Sequence, residues 1–291
     1  MAQFPIHHKK CPYCGYKDFS KRGYFYKKST KTYIPRFHCN HCNKNFSTRT
    51  LSPAFKQKKS FLNRTLCKLF AGGVSLREAA RIVGCNYKTA YTRWVWLGTL
   101  AKDDVLSRKL RGQELEFDEL LSIEHTKLKP LSVIVAVNEH YEIAGVKVAK
   151  IKAFGHLSSV SLQKYGPRPD EIKAKLPELL QEISSRNPNI QIIKSDKKLS
   201  YIKAVKKAFP KAQHLIFLAD DKKEKTREQR YLNHNKRKFD PLFKINHTCA
   251  KLRDHIKRLT RRSWCTTKKS EHLELGLYLY IAKSNNFAFL K

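Results

Sequence analysis

The chain has 291 residues and carries 60 Lys and Arg against 24 Asp and Glu, a formal net charge of +36 with an isoelectric point near 10.0. A hydrophobic share of 41% with 11% aromatics is enough for packed cores, which excludes wholesale disorder, and the length suggests roughly two to three domains. The best apolar runs, Ser132–Val137 and Leu215–Ala219, fall far short of the roughly 18 residues that span a bilayer, so no membrane partner is expected.

Residues 1–10 (MAQFPIHHKK) lack the apolar centre of a secretory signal, and the expected setting is a reducing cytoplasm where eight cysteines serve as thiols or metal ligands. A cationic surplus this large points to a polyanion, most simply nucleic acid, because Lys and Arg at phosphates release condensed counterions. A solubilising or ribosome-like basic surface is the plainer alternative. The first motif is a pair of C-x-x-C knuckles, Cys11-Pro12-Tyr13-Cys14 and Cys39-Asn40-His41-Cys42, with Gly15 just after the first. Two such hairpins place four thiolates at tetrahedral corners, which suits Zn²⁺. A redox pair is the competing reading, but no thioredoxin-like βαβ pattern surrounds either knuckle. His38 and His41 adjoin the second knuckle and are expected at the surface rather than as ligands. Between the knuckles Tyr24, Phe25, Tyr26, Lys27, Lys28, Tyr33, Arg36 and Phe37 predict strands with a basic, aromatic exposed face, hence a small zinc ribbon over residues 1–55. Cys67, Cys85, Cys249 and Cys265 stand alone and read as packing residues.

Residues 56–100 turn helical. Phe61, Leu62, Leu66, Leu69 and Phe70 make an apolar stripe that Ala71-Gly72-Gly73 ends. Ser75 and Glu78 have capping-box spacing, Leu76, Ala79, Ala80, Ile82 and Val83 supply a buried side, and Gly84-Cys85-Asn86 is a short turn before a helix over 87–97. Helix, tight Gly turn, helix is the order of a DNA-binding helix-turn-helix, whose second helix meets base edges with its N-terminal side chains. Lys88, Thr89, Thr92 and Arg93 are the candidates, with Val95 and Leu97 toward the core. A plain three-helix bundle gives the same pattern.

Residues 101–113 (AKDDVLSRKLRGQ) read as a polar linker. The charge then changes character: residues 114–220 hold 17 basic and 13 acidic side chains, against 14 and 1 in residues 1–60, 10 and 3 in 61–113 and 19 and 7 in 221–291. Strands are predicted over 115–120, 131–137 and 143–151, a helix over 169–184, a strand over 190–195 ending at Asp196, a helix over 199–209 and a strand over 213–218. Three strands followed by alternating helix and strand resembles the order of the RNase H-like fold, an α/β unit with a mixed sheet, here over residues 114–291. In that fold carboxylates on the first strand and at the end of the fourth come side by side, and Asp118 and Asp196 occupy those places. Paired carboxylates suit Mg²⁺ or Mn²⁺, which activate an attacking water or 3′-hydroxyl in phosphoryl transfer. Taken singly, an Asp at a strand end is an ordinary turn or cap residue.

The succession CPYC and CNHC, SLREAARIVGCNYKTAYTRW, LEFDE, IIKSD and INHTCAKLRDHIKRLTRRSWCTTKKSEHLE resembles the DDE transposases of bacterial insertion sequences, specifically the insertion sequence one group, over nearly the whole chain. The tail is the more specific part, with its L-R pair, basic face and T-T-K segment leading into an acidic-apolar helix. The resemblance implies a cytoplasmic, nucleoid-associated bacterial enzyme. It would bind double-stranded DNA at element ends and target as a homo-oligomer, and cleave and join strands with structural Zn²⁺ and catalytic Mg²⁺ or Mn²⁺. Asp118 and Asp196 then correspond to the first two catalytic acids. The position of the third, a glutamate in the family, holds Asn246, followed by His247. Asn246 also suits an N-cap, or a D-D-N variant that ligates a cation through its carbonyl oxygen. Glu271, Asp254 and Glu124 compete for the third place. Ribbon, reader and catalytic part share one continuous frame here, whereas a number of these elements use two. A non-catalytic DNA-binding regulator or an inactive transposase remnant is the alternative, and a structural RNA-binding protein accounts for the charge but not for the paired aspartates.

Overall fold

Strands rich in aromatic residues open the computed structural model, which describes residues 10–28, 31–217, 240–260 and 265–284. The chain divides into two units, Met1–Leu62 and Asn63–Lys291. In the first, β1 (Phe19–Lys27), β2 (Thr32–Cys39) and β3 (Asn45–Ser47) form an antiparallel sheet in the order β1-β2-β3. Phe19, Phe37 and Phe46 meet edge to face or tilted at centroid distances of 5.3–5.5 Å and pack with the knuckle cysteines into one small core. The β1–β2 register shifts between Lys21 and Tyr24, where Gly23 takes φ +66°, a bulge that only glycine adopts without strain.

The second unit opens with α1 (Leu62–Ala71), α2 (Leu76–Ile82) and α3 (Tyr87–Ser107). Ser75 caps α2 by accepting from the Glu78 N–H at 3.2 Å, while the Glu78 carboxylate pairs with Arg81 instead of completing the box. Asn86 Oδ1 caps α3 by accepting from the Lys88 N–H at 2.8 Å, and Gly84 turns the chain between the two helices at φ +64°. The expected linker 101–113 is corrected here: α3 runs seven residues into it, because Ala101 and Val105 continue the buried stripe of Trp94 and Leu97. Val95, expected in the core, is only partly buried. Beside the expected boundaries at 55 and 100 stands one division into compact units at Leu62, with the helices in the same unit as the sheet.

That sheet comprises β4 (Glu114–Glu124), β5 (Thr126–Asn138), β6 (Ile143–Lys150), β7 (Ile192–Asp196) and β8 (Gln213–Phe217) in the order β6-β5-β4-β7-β8. The first three strands pair antiparallel, and β7 and β8 join parallel to β4. A parallel partner requires a crossover, supplied by α4 (Leu157–Tyr165) and α5 (Ile172–Arg186) before β7 and by α6 (Leu199–Ala208) before β8. Two further helices, α7 (Phe243–His255) and α8 (Ser270–Ser284), follow. The predicted strand over 213–218 is β8, with Leu218 outside the described residues.

Side chains alternate across β4, and this alternation sorts the chemistry. Leu115 and Phe117, with Ile134, Ala136 and Ile193, pack against Leu176, Leu179, Leu180 and Ile183 of α5 and Tyr201 and Val205 of α6. Glu114, Glu116 and Asp118 point to the opposite face. Helix α8 is apolar on most sides because it is enclosed: Glu274 takes Lys102 of α3 at 2.8 Å, and Tyr278 donates to the Val146 carbonyl of β6 at 3.3 Å. At Gly98 of α3 an added Cβ would stand 2.8 Å from Leu275 Cβ, so glycine sets how closely α3 and α8 approach. Among the described residues no helix is long and apolar enough to cross a membrane.

Candidate functional site

The two knuckles of the first unit repeat one backbone design. Cys11 N–H donates to Tyr16 O and Gly15 N–H to Cys11 O; Cys39 N–H donates to Lys44 O and Asn43 N–H to Cys39 O. Gly15 and Asn43, at matching places, both take positive φ, +77° and +54°, residue types that tolerate it. The result gathers Cys11, Cys14, Cys39 and Cys42 with all four Sγ atoms within 4.8 Å of one another. Cys11 and Cys42 sulfurs lie 3.6 Å apart and Cys14 and Cys39 3.5 Å, close to the ~3.8 Å edge of a tetrahedron with Zn–S bonds of about 2.3 Å. Burial raises the Cys11 thiol, but the Tyr13 and Cys14 amides outweigh it and bring it to about 7. For Cys14 the Tyr16 amide works downward, yet burial and the neighbouring sulfurs push it up to about 12. Four such sulfurs shed all their protons together only around a cation, so the set could hold a metal such as zinc. His41 stacks on Tyr16 at 3.6 Å and His38 pairs with Asn45, so neither is drawn into the sulfur cluster.

In the second unit β4 and β7 bring together the two aspartates. The pairs Glu114↔Ile192, Leu115↔Ile193 and Glu116↔Lys194 run in parallel register, and two residues further on, on the same face, stand Asp118 and Asp196. Burial pushes the Asp118 carboxyl up to about 6, with the charges of Asp196 and Glu119 adding to it and the Glu119 N–H and Lys198 opposing. Asp196 is raised by burial and by Asp240. Asp240, which sequence reasoning passed over, lies just before α7. It accepts from Leu242 N–H at 2.9 Å and from Asn246 Nδ2 at 2.8 Å. Its signal was the dipeptide Asp240-Pro241 ahead of a helix, a common helix start. Asp196 feels the charge of Asp240, and Asp118 that of Asp196, but among the described residues the three are not drawn into a tight cluster of the kind the four cysteines make.

The surrounding residues hold the pieces in place. Glu116, buried, accepts from the Ile245 N–H at 3.0 Å and has Lys244 at 3.8 Å and Lys194 at 3.9 Å, which docks the first turn of α7 on β4. Burial raises its carboxyl despite these partners. Cys249, on the next turn, is pushed up to about 12 by burial and by the Asp118 charge, so α7 covers the aspartate side of the sheet. On the α6 side Glu119 accepts from Tyr201 Oη at 2.7 Å and Ser132 Oγ at 2.8 Å and pairs with Lys198. Buried glutamates inside a strand gave no periodicity signal of their own.

The remaining candidates go elsewhere. Asn246 reaches the aspartates only through Asp240, whereas His247 is flanked by Tyr141 and Phe243 at 5.8 Å each. Glu271, on the first turn of α8, is held low by its own backbone N–H, with Lys150, Ser270 and His272 adding, and Lys150 belongs to β6 at the far edge of the sheet. Glu124 pairs with Arg168 at 3.3 Å, and Asp254 is exposed beside His255. Glu271, Glu124, Asp254 and His247 thus have these partners away from Asp118 and Asp196. On α3, Lys88 and Thr92 are exposed, with Tyr87 alongside, while Thr89 and Arg93 are half-buried. No protein-family model matches the sequence, and no curated protein does either.

Proposed function

We propose that this chain is a DDE-type DNA transposase with an RNase H-like catalytic unit, which reads duplex DNA with α3 and cleaves and joins strands at Asp118, Asp196 and Asp240. The observation that carries the reading is the parallel β4–β7 register, which puts Asp118 and Asp196 at matching places on the face covered by α7, with Asp240 within electrostatic reach of Asp196. Carboxylates are hard oxygen donors, the kind Mg²⁺ or Mn²⁺ takes. Such ions, when bound there, supply activation of an attacking water or 3′-hydroxyl and stabilisation of the leaving oxygen. The chain's own groups do the rest. Asn246 orients Asp240, Glu116 fixes α7 on the sheet, and Lys198 pairs with Glu119 while its charge also reaches Asp118. Lys88 and Thr92 are offered to base edges, with Thr89 and Arg93 behind them, and the cationic flanks hold phosphates. Zinc in the four-cysteine knuckle pair holds the ribbon together, and two element ends are brought together by more than one copy of the chain.

A non-catalytic DNA-binding regulator is the second reading, favoured by Asn246 standing where the family has a carboxylate. Strand cleavage and joining on element-end duplexes with Mg²⁺ or Mn²⁺ decides between them. Asp118→Asn and Asp196→Asn are expected to lower the rate by at least about 1,000-fold and Glu271→Gln to leave it unchanged. Protein that binds those ends but neither cuts nor joins them overturns the enzyme.

A further inference from the structure

The ribbon displays a row of tyrosines that neither the zinc knuckles nor the sheet's core uses. Tyr24 and Tyr26 lie two apart on β1, and Tyr33 is the cross-strand partner of Tyr26 on β2, so all three share one face. They are 55%, 49% and 73% exposed, while Phe25 and Ile34 on the opposite face turn inward. The Tyr26 and Tyr33 rings stand 5.1 Å apart, and Lys21 Nζ donates to Tyr24 Oη at 2.5 Å and sits 4.6 Å from that ring's centre. Lys21 and Arg22 on β1 and Lys28 just after it are exposed, as is Arg36 on β2, and Asp18 is the one acid among residues 1–60, against 14 Lys and Arg.

Each half of this pattern selects a partner. The charge selects a polyanion over a protein. The rings select an unpaired one, because the flat faces of bases in a duplex are already covered by their neighbours, whereas a single strand offers each face to an aromatic side chain. Along β1 the rings of Tyr24 and Tyr26 repeat every two residues, about 6.8 Å, room for one base to lie against each. We infer that this face of the ribbon is a stacking platform for single-stranded DNA, held by Tyr24, Tyr26 and Tyr33 with flanking lysines and arginines on the phosphates. The inference rests on the proposed DNA-directed function for its choice of DNA, and in that setting it assigns the ribbon to unpaired ends exposed by strand cutting.

Binding of the full-length protein to oligo-dT and to blunt duplex, measured by fluorescence anisotropy over a range of salt, tests it. The triple variant Tyr24→Ala, Tyr26→Ala, Tyr33→Ala is expected to bind oligo-dT roughly 100-fold more weakly with an unchanged salt slope, and blunt duplex within about twofold of wild type. Tyr33→Ala alone is expected to cost about tenfold, and Tyr→Phe at all three positions to keep the affinity. Zinc content equal to wild type verifies the fold of each variant. Oligo-dT affinity within about twofold of wild type in both Ala variants overturns the platform, as does an equal loss on duplex and single strand. A peptide that adds a strand along β1 would give the first of those results. Asp118→Asn, which tests catalysis, is expected to leave oligo-dT binding untouched, so the two proposals fail separately.

Discussion

Replacing Asp118 by Asn should make the protein more stable, although Asp118 is the residue the proposed reaction needs most. Burial, with Asp196 and Glu119 adding, lifts its carboxyl from 3.8 to about 6. A carboxyl that binds its proton more tightly in the folded chain than in the unfolded one costs stability when ionised. Stability is therefore lost as the pH rises from about 4 through about 6, and the full cost, about 3 kcal/mol, stands at neutral pH. Below about pH 4 both states hold the proton and the cost disappears. Because the side chain is only partly buried and Lys198 lies near, about 1–3 kcal/mol is the expected gain for the neutral isostere. That corresponds to roughly 2–4 °C in Tm per kcal/mol for a unit of this size. Thermal unfolding by circular dichroism, in buffer without added Mg²⁺, should show the gain at about pH 7.5 and none at about pH 3.5, and added Mg²⁺ should stabilise wild type more than the variant. A variant that is less stable than wild type at neutral pH, or equally more stable at both pH values, would refute the crowding argument.

Cys39→Ser should abolish the single zinc per chain measured by mass spectrometry of the native protein, and proteases should then cut within residues 10–60; retained zinc would remove the metal site. Gly98→Ala should destabilise by about 1–3 kcal/mol in urea, because the new Cβ meets Leu275 at 2.8 Å, against the ~1 kcal/mol that alanine gains over glycine in an open helix. A more stable Gly98→Ala protein would mean that α3 and α8 do not approach as described. Glu116→Ala strands the Ile245 N–H and should cost about 1–3 kcal/mol, with faster hydrogen exchange at Ile245, while Glu116→Gln keeps an acceptor and should recover most of the loss. Equal exchange in the two variants would deny Glu116 its anchoring role.

What could be read in advance depended on how local the cause was. The knuckles, the Ser75 cap and the turn at Gly84-Cys85-Asn86 are each decided within a few residues, and residue type alone announces them. Helix α3 was cut short because Lys102, Asp103 and Asp104 look like a linker. The spacing of Trp94, Leu97, Ala101 and Val105 nevertheless carries one buried stripe through them, and Lys102 is satisfied by Glu274, which lies 172 residues away. The Asp118–Asp196 pairing needed more than two acids at strand ends. It needs the β4–β7 register, and a slip of one residue would turn one carboxylate into the apolar face with Phe117. Asp240 was not legible, whereas Glu271, Asp254 and Glu124 all had respectable sequence contexts, and only the fold places them near Lys150, His255 and Arg168.

Helix α8 is made after almost everything it touches. Its residues close the back of β6 through Tyr278 and receive α3 through Leu275 and Glu274, so the helix that exposes Lys88 shares its support with the sheet that carries Asp118 and Asp196. During synthesis the ribbon can complete its own small core early, whereas Trp94, Leu97 and the outer side of β6 stay bare until α8 emerges. A chain that stops short of residue 270 would keep its four-cysteine knuckles yet lack both support for α3 and a closed sheet, so the second unit settles as a whole only once α8 is made.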